Sequence, residues 1–279
     1  MKFEKIYLKD YFPELGKNDA NAFVNCYIAD CLAEKESGTN MLHPCMVICP
    51  GGGYGKVSHR EAEPIAFKFL ELGFSVFVVY YSIKPHHFPQ QLLEVAGVME
   101  LIRRNAEDWE VDSSNISIMG FSAGGHLAAQ YSNRYNCPEI REVFSESNPV
   151  KSTVLSYPVI TEDKRYSHKG TMFNFVGGHE PADGYEKGCG CELLVTENTP
   201  PTFMWHTAED NNVPVENSLI YAKALSAHKV PFELHIYPFG HHGLGVAEAR
   251  TCKNWNDRLE HCHQWIPQCK KWLKEIGII

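Results

Sequence analysis

Residues 116–129 read ISIMGFSAGGHLAA. The apolar run Ile116–Met119 has the character of a buried strand, and the alanine-rich stretch after Ser122 has that of a helix. Between them lies Gly120-Phe121-Ser122-Ala123-Gly124. G-x-S-x-G at a strand-to-helix turn is a nucleophile elbow, which lifts a serine hydroxyl above the end of a sheet. Small residues two before and two after the serine let flanking backbone approach without a Cβ clash. The first N–H groups of the following helix lack intrahelical acceptors and sit at the positive end of its dipole. Ser122 is therefore the candidate nucleophile, and the Ala123 N–H a candidate donor to an oxyanion.

Outward from the elbow, strand and helix patterns alternate. Residues 4–8 and 22–31 alternate apolar with polar, as antiparallel strands near a sheet edge do. Cys45–Cys49 is a short apolar run, as in a strand buried on both faces. Residues 60–72 have helical spacing and end at Gly73. Further strands are expected at 75–80, 116–119, 152–157, 202–206 and 232–237, and further helices at 89–107, 123–134, 214–228 and 255–275. This order predicts an α/β fold with a mostly parallel, doubly wound sheet flanked by helices. The whole chain, 1–279, reads as a single domain. Residues 160–199 break the rhythm, and a stretch this long without strong periodicity reads as a lid or cap-like insertion over the site.

Pro50-Gly51-Gly52-Gly53-Tyr54-Gly55 follows the strand at 45–49. Such a glycine loop supplies a second oxyanion donor where an elbow is present. The donors are assigned to Gly52 or Gly53 together with Ala123. A phosphate-binding reading fails, since no Lys-Ser/Thr pair follows the loop and no G-x-G-x-x-G is present.

Where such an elbow occurs, the acid follows the serine and the histidine comes last. Trp205 to Pro214 reads WHTAEDNNVP. Asp210 is chosen as the acid because of its spacing to Val213-Pro214, with Glu209 as its neighbouring competitor. Gly240-His241-His242-Gly243 offers the base. His242 is preferred over His241 because glycine follows it. An imidazole with an ordinary pKa near 6.5 takes and returns a proton at neutral pH. The other histidines, among them His86 and His87, read as surface or structural.

Together these motifs resemble the acetyl-xylan-esterase-like group of α/β-hydrolases, also described as esterase/lipase or "xylanase B-like". The resemblance runs from about residue 22 to the end. It implies a serine esterase, a carboxylic ester hydrolase removing small acyl groups, acetyl above all, from xylo- or other oligosaccharides. It also implies a Ser122–His242–Asp210 triad and an acyl-enzyme, with neither metal nor cofactor. The alternatives are a carboxylesterase or thioesterase of small metabolites and a prolyl-oligopeptidase-like peptidase, though the chain has no room for the latter's extra domain.

Bulk composition agrees with a globular enzyme. The hydrophobic fraction is 44% and the charged fraction 22%. A net charge of −8 lacks the basic stripe that nucleic acid demands. No membrane span and no signal peptide are read from the sequence, so a cytoplasmic location is expected. The ten cysteines show no Cys-x-x-Cys pair and read as reduced thiols; Cys189 and Cys191 are too close for a usual zinc site. The expected partner is a small-molecule or oligosaccharide ester, and the oligomeric state, a homo-oligomer included, is left open.

Overall fold

The computed structural model describes residues 1–30, 42–145, 148–178, 188–252 and 255–279. Its strands are β1 (Lys2–Tyr7), β2 (Phe23–Ile28), β3 (His43–Cys49), β4 (Ser75–Tyr80), β5 (Val111–Phe121), β6 (Ser152–Ser156), β7 (Thr202–Thr207) and β8 (Phe232–Tyr237). Its helices are α1 (Leu8–Tyr11), α2 (Glu63–Glu71), α3 (Gln90–Arg104), α4 (Ala123–Arg134), α5 (Pro138–Val143), α6 (Lys169–Phe175), α7 (Glu216–Ala227) and α8 (Trp265–Glu275). The strands form one eight-stranded sheet in the order β1-β2-β4-β3-β5-β6-β7-β8. β1/β2 and β2/β4 pair antiparallel, and every other pair is parallel.

The central strands are apolar on both faces because helices cover both. Along β3, Cys45, Val47 and Cys49 enter one core, whereas Met46 and Ile48 enter the other. β4 repeats this with Phe77 and Val79 against Val76 and Val78. This is the period-two alternation of a strand, with apolar residues at both phases. Leu92 and Val95 of α3, Leu127 of α4 and Tyr221 of α7 fill the first core. Ile65 and Phe69 of α2 and Trp265 and Trp272 of α8 fill the second.

Several boundaries differ from the sequence expectation. β5 begins five residues before Ile116, at Val111, through a polar stretch that periodicity does not mark. The expected helix 60–72 starts at Glu63, with Pro64 in its first turn, and a 3-10 turn at His59–Glu61 precedes it. The expected helix 255–275 is a 3-10 segment (Asp257–Gln264) followed by α8, with Pro267 near the start of the helix. β1 stops at Tyr7, because Leu8 opens α1. The last residue of the expected strand 22–31 lies outside the described residues. No helix among the described residues is long and apolar enough to cross a membrane.

The insertion is tied down at its base. Cys191 N–H donates to the Ile160 carbonyl at 3.0 Å. The Asn217 Oδ1 of α7 accepts from Ile160 N–H at 2.9 Å and Thr161 N–H at 3.1 Å. On the other side, Arg134 Nη2 donates to Gly188 O at 2.8 Å and Gln130 Nε2 to Cys189 O at 3.0 Å. Within it lie α6 and a 3-10 turn at Cys191–Leu194, while residues 179–187 lie outside the described ones.

Candidate active site

The elbow forms where β5 runs into α4. Ser122 has φ 53° and ψ −118°, a region that costs a non-glycine residue about 1–3 kcal/mol. The packing that maintains it is visible at the glycines. A Cβ on Gly120 would lie 2.1 Å from the Gly124 carbonyl oxygen, and one on Gly124 would lie 2.0 Å from that of Cys49. The Ser122 N–H donates to Ser156 O at 3.0 Å and its carbonyl accepts from Val159 N–H at 3.0 Å, so β6 clamps the turn from the other side.

The structure brings Ser122, His242 and Asp210 into one hydrogen-bonded series. The Ser122 hydroxyl donates to His242 Nε2 at 2.7 Å, and His242 Nδ1–H donates to Asp210 Oδ2 at 2.6 Å. Asp210 Oδ1 accepts from the N–H groups of Asn212 (3.0 Å) and Val213 (2.9 Å). Burial pushes the Asp210 carboxyl upward, but hydrogen bonds with His206 and His242, the His242 charge and the Val213 N–H outweigh it. The carboxyl is held well below the usual carboxylate range. Glu209 instead accepts from Gly240 N–H at 3.3 Å, and the exposed His241 ring donates to the His242 carbonyl at 2.8 Å.

The glycine loop turns its carbonyls away from the serine. Pro50 O accepts from Tyr81 Oη, Gly51 O from Ser58 N–H, Gly52 O from Gly55 and Lys56 N–H, and Gly53 O from Asn174 Nδ2. Gly52 and Gly53 have φ of 130° and 66°, conformations that L side chains rarely adopt. Gly51 N–H is engaged by Glu61, but among the described residues the N–H groups of Gly52, Gly53 and Ala123 meet no acceptor. Gly52, Gly53, Ser122 and His242 line one cavity of about 520 Å³, with Lys56, His59, His168 and Asn212 at its walls.

Four residues beyond those predicted organise this site. The buried Glu61 accepts from Gly51 N–H (2.9 Å) and Tyr157 Oη (2.8 Å), and Tyr157 Oη accepts from Gly245 N–H (2.9 Å). The Tyr157 ring packs edge-on against His242, with centroids 5.0 Å apart. One carboxylate thus links the glycine loop to the histidine loop. His126 links a different set of elements: its Nε2–H donates to Cys189 O at 2.8 Å, so its Nδ1 accepts from Tyr54 Oη at 2.9 Å. Burial pulls the His126 pKa down to about 4, so the ring is neutral at pH 7. His206 is also buried, and its Nε2–H donates to Val213 O at 3.0 Å and lies 3.4 Å from Asp210 Oδ2. Reading the remaining histidines as surface or structural therefore missed His168 at the cavity wall and His206 beside Asp210. His206 is the penultimate residue of β7, four before Asp210, and that position was the available signal.

Replacing one acceptor oxygen of Glu61 by an NH₂ group sets it against a donor. A buried group left unsatisfied costs about 1–3 kcal/mol. Glu61→Gln is expected to lower kcat on 4-nitrophenyl acetate about tenfold, at roughly 1.4 kcal/mol per decade, with KM little changed. Steady-state kinetics alongside a thermal melt would separate this from unfolding.

The fold defines the class, the α/β-hydrolases. More narrowly, the chain belongs to the BD-FAE family, whose pattern matches residues 30–225. It is 36% identical over 222 residues to an endo-1,4-beta-xylanase B of Butyrivibrio fibrisolvens, covering 76% of this chain and 34% of that protein. It is 31% identical over 267 residues to an acetylxylan esterase of Xylanibacter ruminicola, covering 93% of this chain and 49% of that protein. The chain thus spans about a third to a half of these relatives' length. An acetyl ester-xyloside bifunctional hydrolase from Caldicellulosiruptor lactoaceticus superposes with a TM-score of 0.83 at 32% identity, over 99% of this chain and 97% of that one. A carboxylesterase from Lactobacillus plantarum WCFS1 gives 0.84 at 28% identity, over 100% and 99%.

Proposed function

We propose that this chain deacylates small esters of sugars, acetylated xylo-oligosaccharides above all, through Ser122, His242 and Asp210. The observation that carries the reading is the hydrogen-bonded series Ser122–His242–Asp210 beside N–H groups of Gly52, Gly53 and Ala123 that have no acceptor among the described residues. His242 takes the serine proton as Oγ attacks the ester carbonyl, and Asp210 orients the resulting imidazolium. The N–H of Ala123 and of Gly52 or Gly53 receives the oxyanion, where one such donor contributes roughly 10²–10³ in turnover. His242 protonates the leaving alcohol and then activates the water that clears the acyl-enzyme. Segment 160–199 acts as a partial cover, a reading supported by His168 at the cavity wall and the Asn174 bond to Gly53. The similarity to an acetylxylan esterase and to the bifunctional acetyl ester-xyloside hydrolase supports the sugar substrate.

The carboxylesterase neighbour supports a second reading, in which the alcohol is not a sugar. Acetate release from acetylated xylo-oligosaccharides should be compared with hydrolysis of 4-nitrophenyl acetate, butyrate and octanoate. Efficient oligosaccharide deacetylation and a steep fall with acyl length are expected. Hydrolysis of the aryl esters alone would favour the second reading.

A further inference from the structure

The insertion brings a histidine, His168, to the wall of the cavity. His168 stands at the N-terminus of α6, and its Nδ1 accepts from Thr171 N–H at 3.2 Å. A nitrogen that accepts from a backbone N–H carries no proton, so the Thr171 hydroxyl, at 2.7 Å, also donates to it. The neutral ring must then hold its proton on Nε2. Among the described residues Nε2 has no partner, and His168 lines the same cavity as Ser122 and His242. Burial and the nearby His242 lower its pKa, with Asp210 opposing, which favours the neutral ring. A half-buried donor at the cavity wall is available to an acceptor on the ligand. His242 returns its proton to the alcohol oxygen, so the alcohol half of the ester lies beside His242. His168 and His242 line the same cavity.

We propose that His168 is a specificity-determining residue: its Nε2–H donates to a free hydroxyl oxygen neighbouring the scissile ester, selecting esters of polyols over esters of alcohols with no second hydroxyl. This rests on the esterase reading above and names the feature of the alcohol that the site recognises. Partially acylated sugars carry that feature, and so do smaller diol esters.

The ring performs two tasks that substitution can separate. Asparagine reproduces the capping acceptor near Nδ1 but is too short to place a donor at Nε2. Glutamine reaches the Nε2 position with an N–H but gives up the cap. The test compares 2-hydroxyethyl acetate with propyl acetate, which share the acyl group and differ in one hydroxyl. Wild type is expected to prefer the hydroxylated ester by about tenfold in kcat/KM, as one neutral hydrogen bond provides. His168→Asn is expected to bring the ratio near one through loss of kcat/KM on 2-hydroxyethyl acetate, with a thermal melt reporting that the fold is kept. His168→Gln is expected to recover most of the preference. A wild type without the preference, or an Asn variant that keeps it, overturns the proposal. Loss of oligosaccharide deacetylation as an activity, with the diol preference intact, would sink the xylan reading and leave this one standing.

Discussion

Ser122→Ala is expected to lower kcat on 4-nitrophenyl acetate by roughly 10⁶-fold and leave a residual rate above that of water. The residual follows from what the substitution spares. The N–H groups of Gly52, Gly53 and Ala123 and the cavity remain, and such elements alone retain roughly 10³–10⁴ over the uncatalysed reaction. The fold should be untouched. Alanine also has a Cβ, so the elbow keeps the same backbone strain, and only the Oγ bond to His242 is lost. Stopped-flow kinetics with a thermal melt and a fluorophosphonate label would check all three points. Undiminished labelling of the alanine variant would move the nucleophile elsewhere.

Asp210→Asn is expected to reduce kcat by about 10³–10⁴-fold with KM within a few fold. The structure says why an amide cannot substitute. The two backbone N–H groups at Oδ1 can donate only to an oxygen there, so the new amide oxygen must keep that position. The NH₂ group is then forced to face His242 Nδ1. That nitrogen becomes an acceptor and the ring proton moves to Nε2, opposite the Ser122 hydroxyl it must receive a proton from. Glu209 offers no rescue because it is directed to Gly240 N–H. Stability should also respond to pH. A carboxyl whose folded pKa is depressed contributes stability above its unfolded pKa and loses it as pH falls through the folded value. The stability difference between wild type and variant should therefore narrow in strongly acidic solution, as melts across pH would show.

Much of this architecture was legible in the chain. The run Phe232–Tyr237 is bounded by Pro231 and Pro238, so its limits coincide with β8, and Ser75–Tyr80 coincides with β4. The elbow was legible because steric need dictates glycine at fixed offsets from the serine. The extent of β5 was not, since Asp112-Ser113-Ser114-Asn115 carries no apolar alternation. α6 was not either, being only seven residues long inside a glycine-rich stretch. Apart from the local bond of Glu61 to Gly51, Glu61, Tyr157 and His126 act through partners 63 to 96 residues away, and pattern along a chain does not encode such meetings. The nearest signal for Glu61 was an acidic residue just past the glycine loop. Choosing between Glu209 and Asp210 needs the direction of two adjacent side chains, which spacing alone only suggests.

The base of the insertion has a practical meaning for re-engineering. Cys191 and Ile160 close it backbone to backbone, and Asn217, Gln130 and Arg134 hold its two feet with side chains that belong to α7 and α4. The side-chain anchors are thus supplied by the scaffold, so a segment grafted between Thr161 and Gly190 would find them in place. Doubling the length of such a closed loop costs only about 0.6 kcal/mol of closure entropy. A graft there must still present a backbone carbonyl where Cys189 now offers one to His126 and a donor where Asn174 now meets the Gly53 carbonyl.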